Sequence, residues 1–243
     1  MTGTLWLIPT PLGDAESARA VLPAATLACV ERLDYFLVEN ARSARAFLKA
    51  AGTARPLQSL DLVQLDEHTP RERIPEMLAP IVDGRDAGLL SEAGAPAVAD
   101  PGAALVDAAH AAGVPVRPLI GPSAMLLALM ASGMNGQRFS FAGYVPAQPE
   151  ARVRRLRELE RRSLREDETV LVIETPYRNR ALLDAALLAL APTTRLMVAS
   201  ELTTPAERIV VDSVEGWRRA RREVPKAPAV FGLQARASAP GRR

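Results

Sequence analysis

Short apolar runs alternate along the first half of this chain with longer stretches of helical periodicity, and no other feature narrows the possible folds as far. The runs are Leu5–Ile8, Tyr35–Val38, Ala87–Leu90 and Val114–Leu119. Between them, Ala18 to Leu33 places Val21, Leu22, Leu27, Val30 and Leu33 on one helical face. Ser43 to Ala51 reads as a helix stopped by Gly52, and Arg71 to Val82 as a helix followed by Gly84. Pro101 to Ala112 completes the set, with Asp100 as its expected N-cap and Gly113 as its stop. Strands separated by helices require crossover connections, hence a mostly parallel sheet. Ligands of such sheets collect at the carboxyl ends of the strands. The loops Pro9–Asp14, Glu39–Arg42 and Ser91–Gly102 all follow strands, so they are expected along one rim.

The rhythm changes near the segment Pro118-Leu119-Ile120-Gly121-Pro122. Beyond it come an apolar helix (Ser123 to Ser132), a strand (Phe139 to Ala142) and an arginine-rich helix (Pro149 to Arg165). A strand at Thr169 to Ile173 leads to a helix over Asn179 to Leu190. Strands at Arg195 to Ala199, Glu207 to Val211 and Ala229 to Leu233 follow. Neighbouring strands without an intervening helix pair antiparallel, so this second sheet is expected to be mixed. The fold class expected is α/β, in two α/β lobes, residues 1–117 and 118–243.

Several function classes are excluded or weakened. Hydrophobic residues make up 48% of the 243, enough for a sizeable core and too many for a disordered chain. The net charge of +2 implies no nucleic-acid partner by itself, but the arginines are unevenly placed. One cluster runs Arg152, Arg154, Arg155, Arg157, Arg161, Arg162 and Arg165, and another Arg218, Arg219, Arg221 and Arg222. Cys29 is the single cysteine, so neither a disulfide framework nor a thiolate metal site can form within the chain. No secretory leader or membrane span is read, which gives a soluble cytoplasmic protein. No dinucleotide-binding glycine motif follows the first strand and no phosphate-binding P-loop is present. His68 and His110 stand alone, and no ligand spacing indicates a metal.

The loop Ser91-Glu92-Ala93-Gly94-Ala95-Pro96-Ala97-Val98-Ala99-Asp100-Pro101-Gly102 is the most informative stretch. Its side chains are nearly all small, so a ligand can approach the backbone closely, and it is longer than a simple turn needs. Gly121-Pro122-Ser123-Ala124 is a shorter stretch of the same kind. Glu39-Asn40-Ala41-Arg42 sets a carboxylate and a guanidinium at a strand end, as a proton acceptor and an orienting cation or as a surface ion pair and helix cap. His68 lies in a polar loop with Glu67 and Arg71, whereas His110 sits at a helix C-terminus. The arginines from Arg152 to Arg165 line the side of their helix opposite Val153, Leu156, Leu159 and Leu164. They form either a solvated face or a surface for phosphates.

Taken in order, seven stretches resemble the tetrapyrrole methylase superfamily of S-adenosylmethionine-dependent methyltransferases, with the greatest likeness to its small-subunit ribosomal RNA cytidine 2′-O-methyltransferase branch. They are Pro9–Asp14, Glu39–Arg42, Ser91–Gly102, Gly121–Ala124 with Ser132–Met134, Phe139–Pro146, Glu174–Arg178 and Glu201–Glu207. The resemblance spans Leu5 to Leu233. It implies cofactor in a cleft between two lobes, often in a homodimer. It places cofactor contacts at Pro11, Ala93, Gly94, Ala95, Val98, Ser123, Ala124, Glu174 and Leu202. Glu39 takes the place of an acid/base residue, with Arg42 beside it, and His68, Arg154, Arg155 and Arg157 fall to the substrate. The branch reads Glu-Asp-Thr-Arg where this chain has Glu39-Asn40-Ala41-Arg42, and Asp-Ala-Gly-Thr-Pro where it has Glu92-Ala93-Gly94-Ala95-Pro96. The acceptor is therefore RNA, a tetrapyrrole or another small molecule, with a non-catalytic cofactor- or RNA-binding module as the remaining reading. Clustered arginines favour RNA.

Overall fold

Four-residue strands that bury every side chain need cover on both faces, and β2 (Tyr35–Val38) and β4 (Ala87–Leu90) are of this kind. They join β1 (Leu5–Ile8), β3 (Asp61–Gln64) and β5 (Val116–Pro118) in a sheet of order β3-β2-β4-β1-β5. All its pairings are parallel, as the alternation of strands and helices predicts. The structure, a computed structural model, describes residues 1–236. The chain divides into two compact units, one ending at Ser123 and one from Ala124 onward, whereas the sequence reading divides it between residues 117 and 118.

Strand alternation splits the first unit's core into two layers. Ile8, Phe36, Val38 and Leu90 pack with Leu22, Val30, Phe47 and Leu48 on one face. Leu5, Tyr35, Leu37 and Leu89 pack with Met77, Ile81 and Leu105 on the other. The first layer is covered by α1 (Ala18–Val21), α2 (Ala24–Arg32) and α3 (Ala41–Ala51), the second by α4 (Ile74–Val82) and α5 (Ala103–Ala111). Gly88 lies against the first layer with no room for a side chain. A Cβ there would lie 2.7 Å from both Ile8 Cδ1 and Phe36 Cδ1.

The single helix expected over Ala18 to Leu33 is two helices. Leu22 precedes Pro23 and is extended, as the proline ring requires. The expected Asp100 cap is also corrected, because Gly102 holds the N-cap position of α5. Sequence reading misses β3, an edge strand whose terminal Asp61 and Gln64 are exposed and leave only Leu62 and Val63 as an apolar signal.

In the second unit, β6 (Phe139–Tyr144), β7 (Thr169–Glu174), β8 (Arg195–Ser200), β9 (Arg208–Ser213) and β10 (Ala229–Gln234) form a mixed sheet of order β6-β7-β10-β8-β9. Only β6 and β7 run parallel. One face of this sheet carries α7 (Pro149–Glu166), α8 (Asn179–Ala189) and α9 (Val214–Ala220), and α6 (Ala124–Ser132) packs on β9 and β10. Leu164, expected in the core stripe of α7, is exposed, and Ser163 is buried instead. Ser163 lies seven residues after Leu156 and four after Leu159, which is the same helical face. Its hydroxyl donates to Glu168 O at 2.6 Å and accepts from Ala235 N at 2.9 Å. The short α9 escapes a reading drawn to its arginines; Ser213 caps it by accepting from Gly216 N at 3.0 Å.

Trp217 is 1% exposed in this second core and donates its indole N–H to Leu196 O at 2.8 Å. Replacing it by alanine should cost about 3–5 kcal/mol. Chemical denaturation should show a large drop in the unfolding midpoint, smaller for Trp217→Phe; an unchanged midpoint for Trp217→Ala would contradict this packing.

Candidate active site

Parallel strands of the first unit deliver five loops to one rim, and hydrogen bonds tie several of them together. After β1, Thr10 and Gly94 exchange backbone hydrogen bonds, Thr10 N to Gly94 O at 2.9 Å and Gly94 N to Thr10 O at 3.1 Å. This bridge fastens the Pro9–Asp14 loop, with buried Pro11, to the small-residue loop after β4. The Thr10 hydroxyl adds a bond to Ser91 O at 3.3 Å. Gly94 has φ +84°, a left-handed conformation, and a Cβ there would lie 3.2 Å from Leu12 Cδ2. Its own amide and carbonyl are taken by Thr10. Beside it Ala93 is exposed, the Ala95 carbonyl accepts from Val98 N at 3.4 Å, and Val98 is exposed farther along the loop. Ala97 and Ala99 also lie at positive φ, 63° and 66°. Such conformations are costly for alanine and cluster at ligand-binding loops.

Glu39 follows β2, and its carboxylate accepts from the Glu92 amide at 3.1 Å. Burial raises its pKa; the Glu92 amide bond opposes this, and the charges of Glu92, Glu67 and Asp66 add to it. Asn40 caps α3 by accepting from the Arg42 and Ser43 amides at 2.9 and 3.4 Å, which leaves the Arg42 side chain exposed at the rim. The Ser43 hydroxyl reaches Glu92 Oε1 at 3.3 Å. His68, in the loop after β3, is exposed and 3.6 Å from Glu67. Its amide bonds Asp66, whose carboxyl is held low chiefly by the Thr69 hydroxyl. Asp100, read from sequence as a helix cap, belongs to this group. Burial raises its pKa to about 6, the Glu39 charge adds to that, and the Ser91 hydroxyl opposes it. The rim is thus a carboxylate-rich surface bordered by a loop of small side chains. Ser123 ends the loop after β5.

The second unit gathers its own group at one edge of its sheet. Register aligns Glu174 on β7 with Ala229 on β10, and Ala229 with Ser200 on β8. The β7 end and the β8–β9 turn holding Leu202 are therefore neighbours at that edge. Glu174 is 4% exposed. Its Oε1 accepts from Thr175 N at 2.8 Å and Arg178 Nε at 2.8 Å, while its Oε2 has no partner among the described residues. Asn179 donates to Pro225 O and Ala227 O, 3.0 and 2.8 Å away, and its Oδ1 has no partner among the described residues. The Thr203 hydroxyl is the third such buried atom, on a residue with φ 68°. Sequence reasoning expects cofactor contacts at Glu174 and Leu202 and does not single out Asn179 or Thr203. Ala124 starts α6.

The arginines of α7 do not act alike. Arg152 is 4% exposed and clamps the Pro146 and Ala147 carbonyls at 3.0 and 2.6 Å. Arg162 is held by Glu168 and Ser140, Arg155 pairs with Glu158 at 3.3 Å, and Arg165 pairs with Glu166 at 2.8 Å. Arg154, Arg157 and Arg161 are exposed and make no ion pair among the described residues.

Comparison with known proteins places the chain. The family model of the Tetrapyrrole (Corrin/Porphyrin) Methylases matches residues 4–216. The chain belongs to the tetrapyrrole methylase family. It is therefore an enzyme, a methyltransferase. Among its curated relatives is the Ribosomal RNA small subunit methyltransferase I of Xylella fastidiosa, 35% identical over 86% of this chain and 71% of the relative. The protein of the same name from Neisseria meningitidis serogroup B is 33% identical over 87% and 68%. The fold agrees with solved methylases. The methyltransferase CobJ superposes with a TM-score of 0.63 at 22% identity, covering 98% of both chains. The uroporphyrin-III-C-methyltransferase of Thermus thermophilus gives 0.55 at 19% identity, over 96% of this chain and 93% of that one. No helix among the described residues is long and apolar enough to cross a membrane, and no group of side chains among them is fit to hold a metal ion.

Because the Asp100 carboxyl is raised, the folded state binds its proton more tightly than the unfolded state does. Stability is therefore fully favoured below the ordinary value of 3.8 and declines as pH rises through about 6. Asp100→Asn should remove most of that decline and be more stable than the parent at pH 8 by about 1–2 kcal/mol. Unfolding curves at several pH values check this; parallel pH profiles for the two proteins would sink it.

Proposed function

We propose that this protein methylates small-subunit ribosomal RNA, using S-adenosylmethionine as the methyl donor. The observation that carries the reading is the match of most of the chain to curated ribosomal RNA small subunit methyltransferases in several bacteria. The acceptor we assign is a ribose 2′-hydroxyl.

The residues present suit that cofactor. A small-residue loop carrying Ala93, Gly94, Ala95 and Val98, fastened to Pro11 through the Thr10 bridge, leaves backbone accessible. The carboxylates of the rim favour a cationic sulfonium. In the second unit, the unpartnered acceptors on Glu174 and Asn179 suit the amino, ammonium and hydroxyl donors of such a molecule. Ser123, Ala124 and Leu202 complete the contacts we assign to it. The bound cofactor supplies an activated methyl group. The protein has only to align the acceptor oxygen and take its proton. Glu39 is the acceptor of that proton. Its amide bond to Glu92 fixes the carboxylate, and burial raises its basicity. Arg42 and His68 lie on the same rim and contact the substrate. We further place the protein in the cytoplasm, where buried Cys29 stays a thiol, and expect it to work as a homodimer.

Isothermal titration with S-adenosylhomocysteine should show binding to the native protein and none to folded Gly94→Val. A valine at φ +84° is strained and pushes on Leu12. Labelled methyl should then pass to ribosomal RNA from cells lacking the protein. Label confined to a small-molecule fraction would replace RNA with a tetrapyrrole-like acceptor, and cofactor binding without transfer to any fraction would make the protein a binding module.

A further inference from the structure

Tyr177 is 73% exposed although it stands beside one of the most buried ion pairs in the second unit. Its neighbour Arg178 is fixed by Glu174, whose side chain is 0% exposed; Glu174 Oε1 accepts from Arg178 Nε at 2.8 Å and lies 2.7 Å from Nη2 in an ion pair. Arg178 in turn lies 5.5 Å from the centre of the Tyr177 ring. One side of the ring thus faces a cation that cannot swing away, which orients the ring at little entropic cost. Core packing does not need Tyr177, and neither does the methyl-transfer chemistry outlined above.

The surroundings of Tyr177 are set by topology. Because β6 and β7 are parallel, the helices that follow them, α7 and α8, start at the same edge of the sheet and run in the same direction, packed side by side. Tyr177 lies just before α8, and Arg154 lies in the second turn of α7. From there Arg154, Arg157 and Arg161 follow one helical face over about 10 Å, at 1.5 Å per residue. Glu150 and Glu158 share this face, but Arg155 engages Glu158, so the stripe keeps a net positive charge. An oriented, exposed aromatic ring at the sheet edge where a helix begins that carries exposed arginines, without ion pairs among the described residues, is an arrangement suited to single-stranded nucleic acid. The ring takes a base face and the cations take successive phosphates. A duplex cannot use the ring, because its bases are already stacked.

We propose that this edge of the second unit is the docking surface for a single-stranded segment of the RNA substrate, with one unpaired base on Tyr177 and adjacent phosphates on Arg154, Arg157 and Arg161. The proposal rests on the ribosomal RNA reading and names how that substrate is gripped. It also revises the expected substrate set. Arg155, committed to Glu158, is replaced by Arg161, and a tyrosine joins the arginines.

The test is fluorescence anisotropy with a labelled single-stranded RNA 12-mer, the same strand annealed to its complement, and S-adenosylhomocysteine titrated in parallel. Tyr177→Ala should weaken single-strand binding about tenfold or more, with duplex binding and cofactor affinity unchanged. Tyr177→Phe, which keeps the ring, should bind like the parent. Replacing Arg154, Arg157 and Arg161 together by Gln should lower the salt slope by about 2, from roughly 0.7 per phosphate contact on a single strand. Arg155→Gln should leave that slope alone. Parental affinity in Tyr177→Ala, an equal loss in Tyr177→Phe, or an unchanged slope in the triple variant overturns the surface, as does failure of the parent to bind single-stranded RNA. Bound RNA that receives no methyl overturns the ribosomal RNA methylation reading and leaves the surface standing.

Discussion

Parallel pairing governs this molecule. A parallel pair cannot be closed by a hairpin, so each strand of the first unit must be followed by a crossover that returns to the starting edge. Every loop leaving a carboxyl end therefore lands on the same rim. This is why Pro11, Glu39, His68, the Ser91–Gly102 loop and Ser123, scattered over more than a hundred positions, belong to one surface. The same constraint, confined to β6 and β7 in the second unit, brings the starts of α7 and α8 side by side. Only between β8 and β9 does the chain turn back at once, through the turn that carries Leu202 and Thr203, whereas α9 lies between β9 and β10.

Much of the architecture was legible in the sequence because burial on two faces writes an unbroken apolar run, as at Tyr35–Val38 and Ala87–Leu90. Edge elements write no such run. Strand β3 keeps only two apolar residues, and α9 reads as an arginine cluster because just Val214, Gly216 and Trp217 face inward. The loops of the rim were legible through their small residues. The partners that a residue finds in space were not. Asp100 looks like a helix cap, since its spacing to the following apolar residues suits one, yet its carboxyl answers to Ser91 and Glu39 across the loop. Nothing local marks Asn179, whose amide donates to Pro225 O and Ala227 O far along the chain, or Thr203 as a residue whose side-chain oxygen finds no partner among the described residues.

The arginines teach the same lesson about charge. Counted along the sequence, α7 carries a dense basic tract. In three dimensions Arg152 ties down the turn before the helix by two hydrogen bonds, Arg162 bonds Ser140 on β6 and Glu168 just before β7, and others neutralise carboxylates one to three residues away. Only the unspent cations project a field that a distant polyanion can feel.

The Thr10–Gly94 bridge has a mechanical consequence. Two hydrogen bonds make one body of loops that leave different strands, so neither the segment after β1 nor the one after β4 can change shape alone. Sequence drift at Leu12 or Gly13 therefore bears on Ala93 and Ala95 through the two hydrogen bonds and through the Leu12 side chain, which lies against Gly94. The two segments should consequently vary in concert from one species' protein to the next, as the halves of a single hinge plate would.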